Sequence, residues 1–187
     1  QVAILDNAPL RLQQLDDRFH GRVVTIMSAA HTLADWTARA DLLIGAVLLP
    51  GAAAPKLVNK SMVKNMAPGS VIVDVAIDQG GCVETIDRVT THDKPVYEQY
   101  GVLHYAVANM PGAVPRTSTL ALTNATLPYA LRLAAGWKQA LAGDEGLAQG
   151  LNTAAGRLTC RPVAEALQLP YCPWRDALQA APDGPSA

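Results

Sequence analysis

Two carboxylates stand where this sequence could do chemistry. Asp78 lies in the run VIVDVAIDQGG at residues 71–81. Val71, Ile72, Val73 and Val75 are β-branched and nearly continuous, which suits a parallel strand covered on both faces. Gly80 and Gly81 let the backbone turn sharply or come close to a ligand. Open α/β sheets bind ligands outside the carboxyl ends of their strands, so a carboxylate in that position is a candidate for chemistry. The plainer alternative is a turn carboxylate that caps the backbone. Asp6 ends the apolar stretch QVAIL. In a dinucleotide-binding βαβ unit the second strand ends in Asp or Glu, which accepts hydrogen bonds from the adenosine ribose hydroxyls. The matching G-x-G-x-x-G lies about 20 residues earlier, which here would fall before residue 1. Asp6 could equally cap the helix that starts near Pro9. The expected arrangement puts both acids at the tips of neighbouring parallel strands, facing one cleft.

Other polar side chains carry weaker signals. Arg11 sits on the first turn of the helix after Asp6, near where an adenosine ribose would lie; a solvated surface charge is the plainer account. Asn109 offers an amide suited to a ribose or a carboxamide. The first-turn amides near Thr117 and Ser118 make a positive helix end. His92 and Asp93 are adjacent, but adjacent residues rarely face each other, so a surface or supporting role is expected rather than general base chemistry. His104 alternates within a strand and reads as a packed, hydrogen-bonded core histidine. Cys82, Cys160 and Cys172 are far apart and odd in number, with no C-x-x-C, so neither a disulfide scaffold nor a zinc site is indicated.

These groups need strand ends to hold them, and the pattern supplies them. Strands are expected at 1–5, 23–27, 41–49, 71–75 and 102–108. Between them fall helices at 9–18, with Leu10, Leu12, Leu15 and Phe19 on one side, at 32–38, and at 60–66 behind an Asn59 cap. Pro50 and Gly51 end the third strand. The stretch 85–102 is polar and mixed, with Pro95 in an extended segment. Strand and helix alternating at short spacing is the order of a doubly wound parallel sheet. Pro115 opens a long helix over 116–141 with an apolar stripe of Leu120, Leu127, Leu131, Ala134 and Leu141, kinked at Pro128. A short helix near Leu147, a loop at 152–156, a short strand at 157–160 and a small helix at 162–167 follow. The tail after Leu178 reads as disordered. Character changes near Thr117, which divides the chain into 1–116 and 117–187.

Composition narrows the classes. The 187 residues are 50% hydrophobic and 17% charged, with a net charge of −1, enough for one good-sized domain or parts of two. No basic stripe interleaved with aromatics argues for nucleic acid. No apolar run reaches membrane-spanning length and no signal peptide is visible. A reducing cytoplasm is the expected setting.

The stretches DLLIGAVLLPGAAAPKLV, GSVIVDVAIDQGG and HYAVANMPGAVPRTSTLALTNATLPYAL together resemble alanine dehydrogenase, and the likeness runs on through GLNTAAGRLT to ALQLPY. The related transhydrogenase α subunit shares parts of the pattern, but VDVAIDQGG fits alanine dehydrogenase better. The resemblance implies a Rossmann-type doubly wound α/β sheet, incomplete because its first strand is absent. A long linking helix and the C-terminal part of a substrate domain accompany it. It also implies an NAD-dependent oxidoreductase that interconverts L-alanine with pyruvate and ammonium, assembled as a hexamer. By position, Asp6 resembles the reader of the adenosine ribose, with Arg11 beside it. Ser28 resembles a contact to the adenosine half, and Val47 and Leu48 line the adenine side. Val75 lies near the nicotinamide ribose, which Asn109 and Met110 flank. Asp78 resembles the catalytic carboxylate beside the nicotinamide. No metal is implied.

The departures are large. In the family the glycine-rich loop, the first sheet strand and the catalytic His precede the equivalent of Gln1. His20, His31, His92 and His104 do not match that His. Without the first strand, unpaired edges and a large apolar surface are expected. Two other accounts stay open: a non-catalytic fragment or interaction module, and the NAD(H)-binding part of a proton-translocating transhydrogenase.

Overall fold

A computed structural model describes residues 1–49 and 52–181. The chain divides into two compact units, Gln1–Leu48 with Ala53–Met110, and Leu49–Ala52 with Pro111–Ala187. Pro50, Gly51 and residues 182–187 of the expected tail lie outside the described residues.

The first unit alternates strand and helix: β1 (Ala3–Asp6), α1 (Pro9–Phe19), β2 (Val24–Met27), α2 (Ala30–Arg39), β3 (Leu42–Gly45), α3 (Lys60–Lys64), β4 (Val71–Asp74), β5 (Val96–Gln99) and β6 (Val102–Tyr105). β1 and β2 pair in parallel as one sheet, and β3-β4-β6-β5 form another. In the second sheet β3, β4 and β6 are parallel and β5 is antiparallel to β6. This is the Rossmann-type alternation read from the sequence.

Register and side-chain alternation put Leu43, Ile72, His104 and Tyr97 on one face of this sheet, and Leu42, Ile44, Val73 and Val96 on the other. The first face is the core. Ile72, Val63, Val83, Val102 and Ala106 are essentially shut off from solvent there. The second face is open: Leu42 and Ile44 are 55% and 60% exposed. The expectation of strands covered on both faces is corrected to one face, while the expected exposed apolar surface is present.

Local signals account for several boundaries. Pro at the first turn starts α1, and His20 in a left-handed conformation ends it. Leu12 is buried, whereas Leu10, expected beside it, is 74% exposed. The Asn59 side chain accepts a hydrogen bond from the Met62 amide and caps α3. Strand 41–49 is shorter than expected and stops at Gly45. The β4 strand stops at Asp74, and Val75 opens a 3-10 turn, Val75–Gln79. β5 lies in the polar, mixed stretch, directly after the extended segment expected at Pro95.

The second unit comprises α4 (Pro115–Ala142), α5 (Glu145–Gln149), the hairpin strands β7 (Thr153–Ala154) and β8 (Arg157–Leu158), α6 (Arg161–Leu167) and α7 (Trp174–Ala180). α4 breaks at Gly136, whose φ and ψ are 163° and 90°, within the span expected to be one long helix. Along its apolar stripe Leu120, Leu127 and Leu131 are exposed and Leu141 is buried. The expected loop at 152–156 is a hairpin turning at Ala155 and Gly156, both at positive φ. α7 ends at Ala180, so only its last two residues fall in the tail expected after Leu178. Asp144 caps α5 through the Leu147 amide and pairs with Arg132 at 2.8 Å. Those contacts, the amide first, hold its carboxyl below the ordinary value.

Candidate functional site

Parallel pairing of β3, β4 and β6 brings three chain exits to one edge of the sheet. β3 leads into Val47 and Leu48, β4 into Val75 and Asp78, and β6 into Asn109 and Met110. Val47 packs against the core while Leu48 is 71% exposed. Val75 is half-exposed and Asp78 is exposed. Asn109 is exposed and stands at φ 54°, a left-handed position that Asn tolerates better than most residues. The exposed His92 ring meets this turn: its Nε2 lies 3.2 Å from the Asn109 carbonyl oxygen, which can only accept.

The other sheet gathers the remaining candidates. Asp6 ends β1, and the Ser28 amide donates to the Asp6 carbonyl at 2.9 Å, so the two are neighbours. Arg11 is exposed on the first turn of α1. The Asp6 Oδ1 accepts from the Ala8 amide at 2.8 Å, which is the capping role the sequence allowed. Among the described residues Oδ2 accepts no hydrogen bond, so a ribose hydroxyl could still use it. Asp6 and Asp78 do not stand on neighbouring strands, because among the described residues β1 pairs only with β2 and β4 only with β3 and β6. That expectation is corrected.

Beneath Asp78 lies a residue the sequence reading passed over. Asp74, the last residue of β4, is fully buried. It accepts from the backbone amides of Ala76 at 3.0 Å, Cys82 at 2.8 Å and Val83 at 3.2 Å. An acid inside an otherwise β-branched run was the available signal, since a buried carboxylate must be compensated. On the outer side of the loop, Lys56 Nζ donates to the Gly80 carbonyl at 2.6 Å and the Ala54 amide to that of Gln79 at 2.8 Å. Among the described residues no cluster of His, Cys, Asp or Glu could hold a metal ion, and no helix is long and apolar enough to cross a membrane.

A parallel α/β sheet whose strand exits converge at the carboxyl edge belongs to the Rossmann-type class. Residues 1–161 match the family described as alanine dehydrogenase/PNT, C-terminal domain. The chain belongs to that family. It is 60% identical to an alanine dehydrogenase of Methanococcus maripaludis over 95% of its length and 48% of that protein's. It is 59% identical, with the same coverages, to alanine dehydrogenase 2 of Staphylococcus aureus. A solved L-alanine dehydrogenase structure superposes with a TM-score of 0.77 at 51% identity, over 90% of this chain and 46% of that one. A transhydrogenase from Sinorhizobium meliloti gives 0.55 at 31% identity, over 64% and 33%. The chain thus spans about half the length of the curated relatives it matches.

Proposed function

We propose that the chain is the nucleotide-binding and C-terminal portion of an NAD-dependent alanine dehydrogenase. Residues 1–116 hold the dinucleotide, and residues 117–187 form the linking helix and a segment of the substrate domain. The observation that carries the reading is the 60% identity to an alanine dehydrogenase across 95% of the chain. The lower likeness to a transhydrogenase, 31% identity, makes that the second reading.

The residues present suit two ends of NAD. Asp6 has a carboxylate oxygen available to ribose hydroxyls, and its charge disfavours a 2′-phosphate, which selects NAD over NADP. Ser28 and Arg11 accompany it on the adenosine side, with Val47 and Leu48 against the adenine. Val75, Asn109 and Met110 border the nicotinamide ribose. No G-x-G-x-x-G occurs within these 187 residues. When bound, the nicotinamide supplies the hydride acceptor. In the balanced reaction L-alanine, NAD and water give pyruvate, ammonium, NADH and a proton. Asp78, exposed at the sheet edge, orients the substrate nitrogen or exchanges its protons, and rate follows from that positioning. The working assembly is a homo-oligomer, a hexamer by family.

The test is NADH formation from L-alanine and NAD by the full-length protein, followed by absorbance. Alanine-dependent NADH formation supports the reading. Hydride exchange between NADH and NADP without any amino acid would favour the transhydrogenase instead. NAD binding with neither activity would leave a non-catalytic module.

A further inference from the structure

The loop that carries Asp78 leaves β4 at Val75 and rejoins the core at Cys82 and Val83. One buried carboxylate closes both of its ends. Asp74 Oδ1 takes the Ala76 amide at the loop's start, and Oδ2 takes the Cys82 and Val83 amides at its finish. The Cys82 thiol lies 3.7 Å from Oδ1 and donates to it. Burial first, and then the Asp74 charge, push that thiol up to about 11, so it stays protonated and keeps donating.

The neighbouring glycines are shaped by the same carboxylate. A Cβ on Gly81, which stands at φ +75°, would come within 2.8 Å of Asp74 Oδ2. A Cβ on Gly45, paired with Asp74 across β3 and β4, would collide with the Cys82 sulfur. Asp74 is shut off from solvent, so no substrate reaches it. Charge-assisted bonds to backbone amides are among the stronger hydrogen bonds, and buried ones define geometry. Asp78 sits between the two tied ends with an exposed side chain.

We propose that Asp74 is the positioning residue of this site: it fixes residues 75–83 so that Asp78 is presented at the carboxyl edge of the sheet. The role given to Asp78 rests on the function proposed above; the clamping of its loop does not.

The experiment has a structural arm and a kinetic arm, both on the full-length protein. In the wild type, hydrogen exchange at the Ala76, Cys82 and Val83 amides should be as slow as in β4. Exchange as fast as in exposed turns would overturn the proposal whether or not any variant folds. In Asp74→Asn, whose amide group faces those donors with only one acceptor oxygen, exchange at the three amides should speed up at least about tenfold. Cys82 alkylation should accelerate while Cys160 and Cys172 react as before. Turnover should fall by about a hundredfold, the scale of a misplacement near 1 Å, with KM for NAD and alanine held within about twofold. Gly81→Ala, which keeps the carboxylate but crowds it, should repeat the loss. Combining Asp74→Asn with Asp78→Asn should cost no more turnover than Asp78→Asn alone, because both act through one group. A folded Asp74→Asn protein with unchanged turnover, or with losses that multiply those of Asp78→Asn, would overturn it. If the wild type forms no NADH from alanine, the proposed function fails, and the exchange arm alone decides whether Asp74 clamps the loop.

Discussion

At the tip of β4, Asp78 rides on a loop tied from within by Asp74 and from outside by Lys56 and the Ala54 amide. At the tip of β1, Asp6 is held by one amide bond from Ala8 and by the backbone link to Ser28. The layers beneath differ in the same sense. Below Asp78 lie Ile72, Val63, Val83, Val102 and Ala106, nearly all without exposure. In β1, α1 and β2 the buried residue is Leu12. A group that meets reacting atoms loses rate with every misplaced ångström, so its backbone must be fixed. A group that reads a ribose hydroxyl through a flexible hydrogen bond needs less. Within these 187 residues the tip of β4 is therefore held by more core and backbone contacts than the tip of β1.

The most severe test of that contrast is Asp78→Asn. Turnover with alanine and NAD should drop by about 10²–10⁴-fold, the range of a lost acid–base group. The melting temperature should hardly move, because the Asp78 side chain is exposed and makes no hydrogen bond among the described residues. Near-normal turnover would remove Asp78 from the chemistry and leave its well-tied loop without a purpose. Next in size are core truncations. Ile72→Ala should destabilise by about 2–5 kcal/mol, read by denaturant unfolding. Leu12→Ala should sit at the low end, near about 2 kcal/mol, and act locally, speeding amide exchange in β1 and β2 while β4 and β6 stay protected. Equal exchange in both sheets would erase the comparison.

Much of this arrangement was legible because it is written locally. β-branched runs, the Asn59 cap and Pro at the first turns of α1 and α4 each act within a few residues, and the long-range parallel pairing follows from their alternation. The likeness to alanine dehydrogenase was legible for the same reason: its motifs are contiguous. What escaped depends on partners distant in sequence. β5 is polar and mixed, and becomes a strand because β6 offers it an antiparallel edge. Leu120, Leu127 and Leu131 repeat with helical period yet stay exposed, since periodicity names a face and not what covers it. The break at Gly136 has no proline or cap beside it to announce it in the sequence. Asp74 was hidden inside a strand run, and two of the three amides that reveal its use, Cys82 and Val83, lie eight and nine residues on.

A smaller effect belongs to the lightly held end. Asp6→Ala should lose the bond to Ala8, about 1 kcal/mol of stability. It should also raise kcat/KM with NADP by about tenfold, ~1.4 kcal/mol, while turnover with NAD stays close to its starting value. Unchanged rejection of NADP would mean that the β1 tip does not read the ribose, and Arg11 and Ser28 would lose their reason for being grouped with it.

The finest test uses a proton to probe the tightly held sheet alone. His104 is fully buried in β6, stacked on Tyr97 with ring centroids 5.2 Å apart. Its Nδ1 lies 2.9 Å from the Val102 carbonyl, which can only accept, so Nδ1 carries the hydrogen. Nε2 then accepts from the Thr85 hydroxyl at 2.8 Å. Burial lowers the pKa of this ring below 6.5, outweighing the Val102 bond and the Asp87 charge. The folded state therefore binds the proton less readily than the unfolded chain. The stability this contributes is complete above about pH 6.5 and is lost as pH falls toward and through the folded value. The slope can reach about 1.4 kcal/mol per pH unit for one proton. Unfolding measured between about pH 7.5 and 5.5, around the unfolded value, should show this decline in the wild type and a shallower one in His104→Gln. Below about pH 6.5, exchange should rise in β4 and β6 before it changes in β1 and β2. Identical pH slopes in the two proteins would show that His104 is not the titrating group.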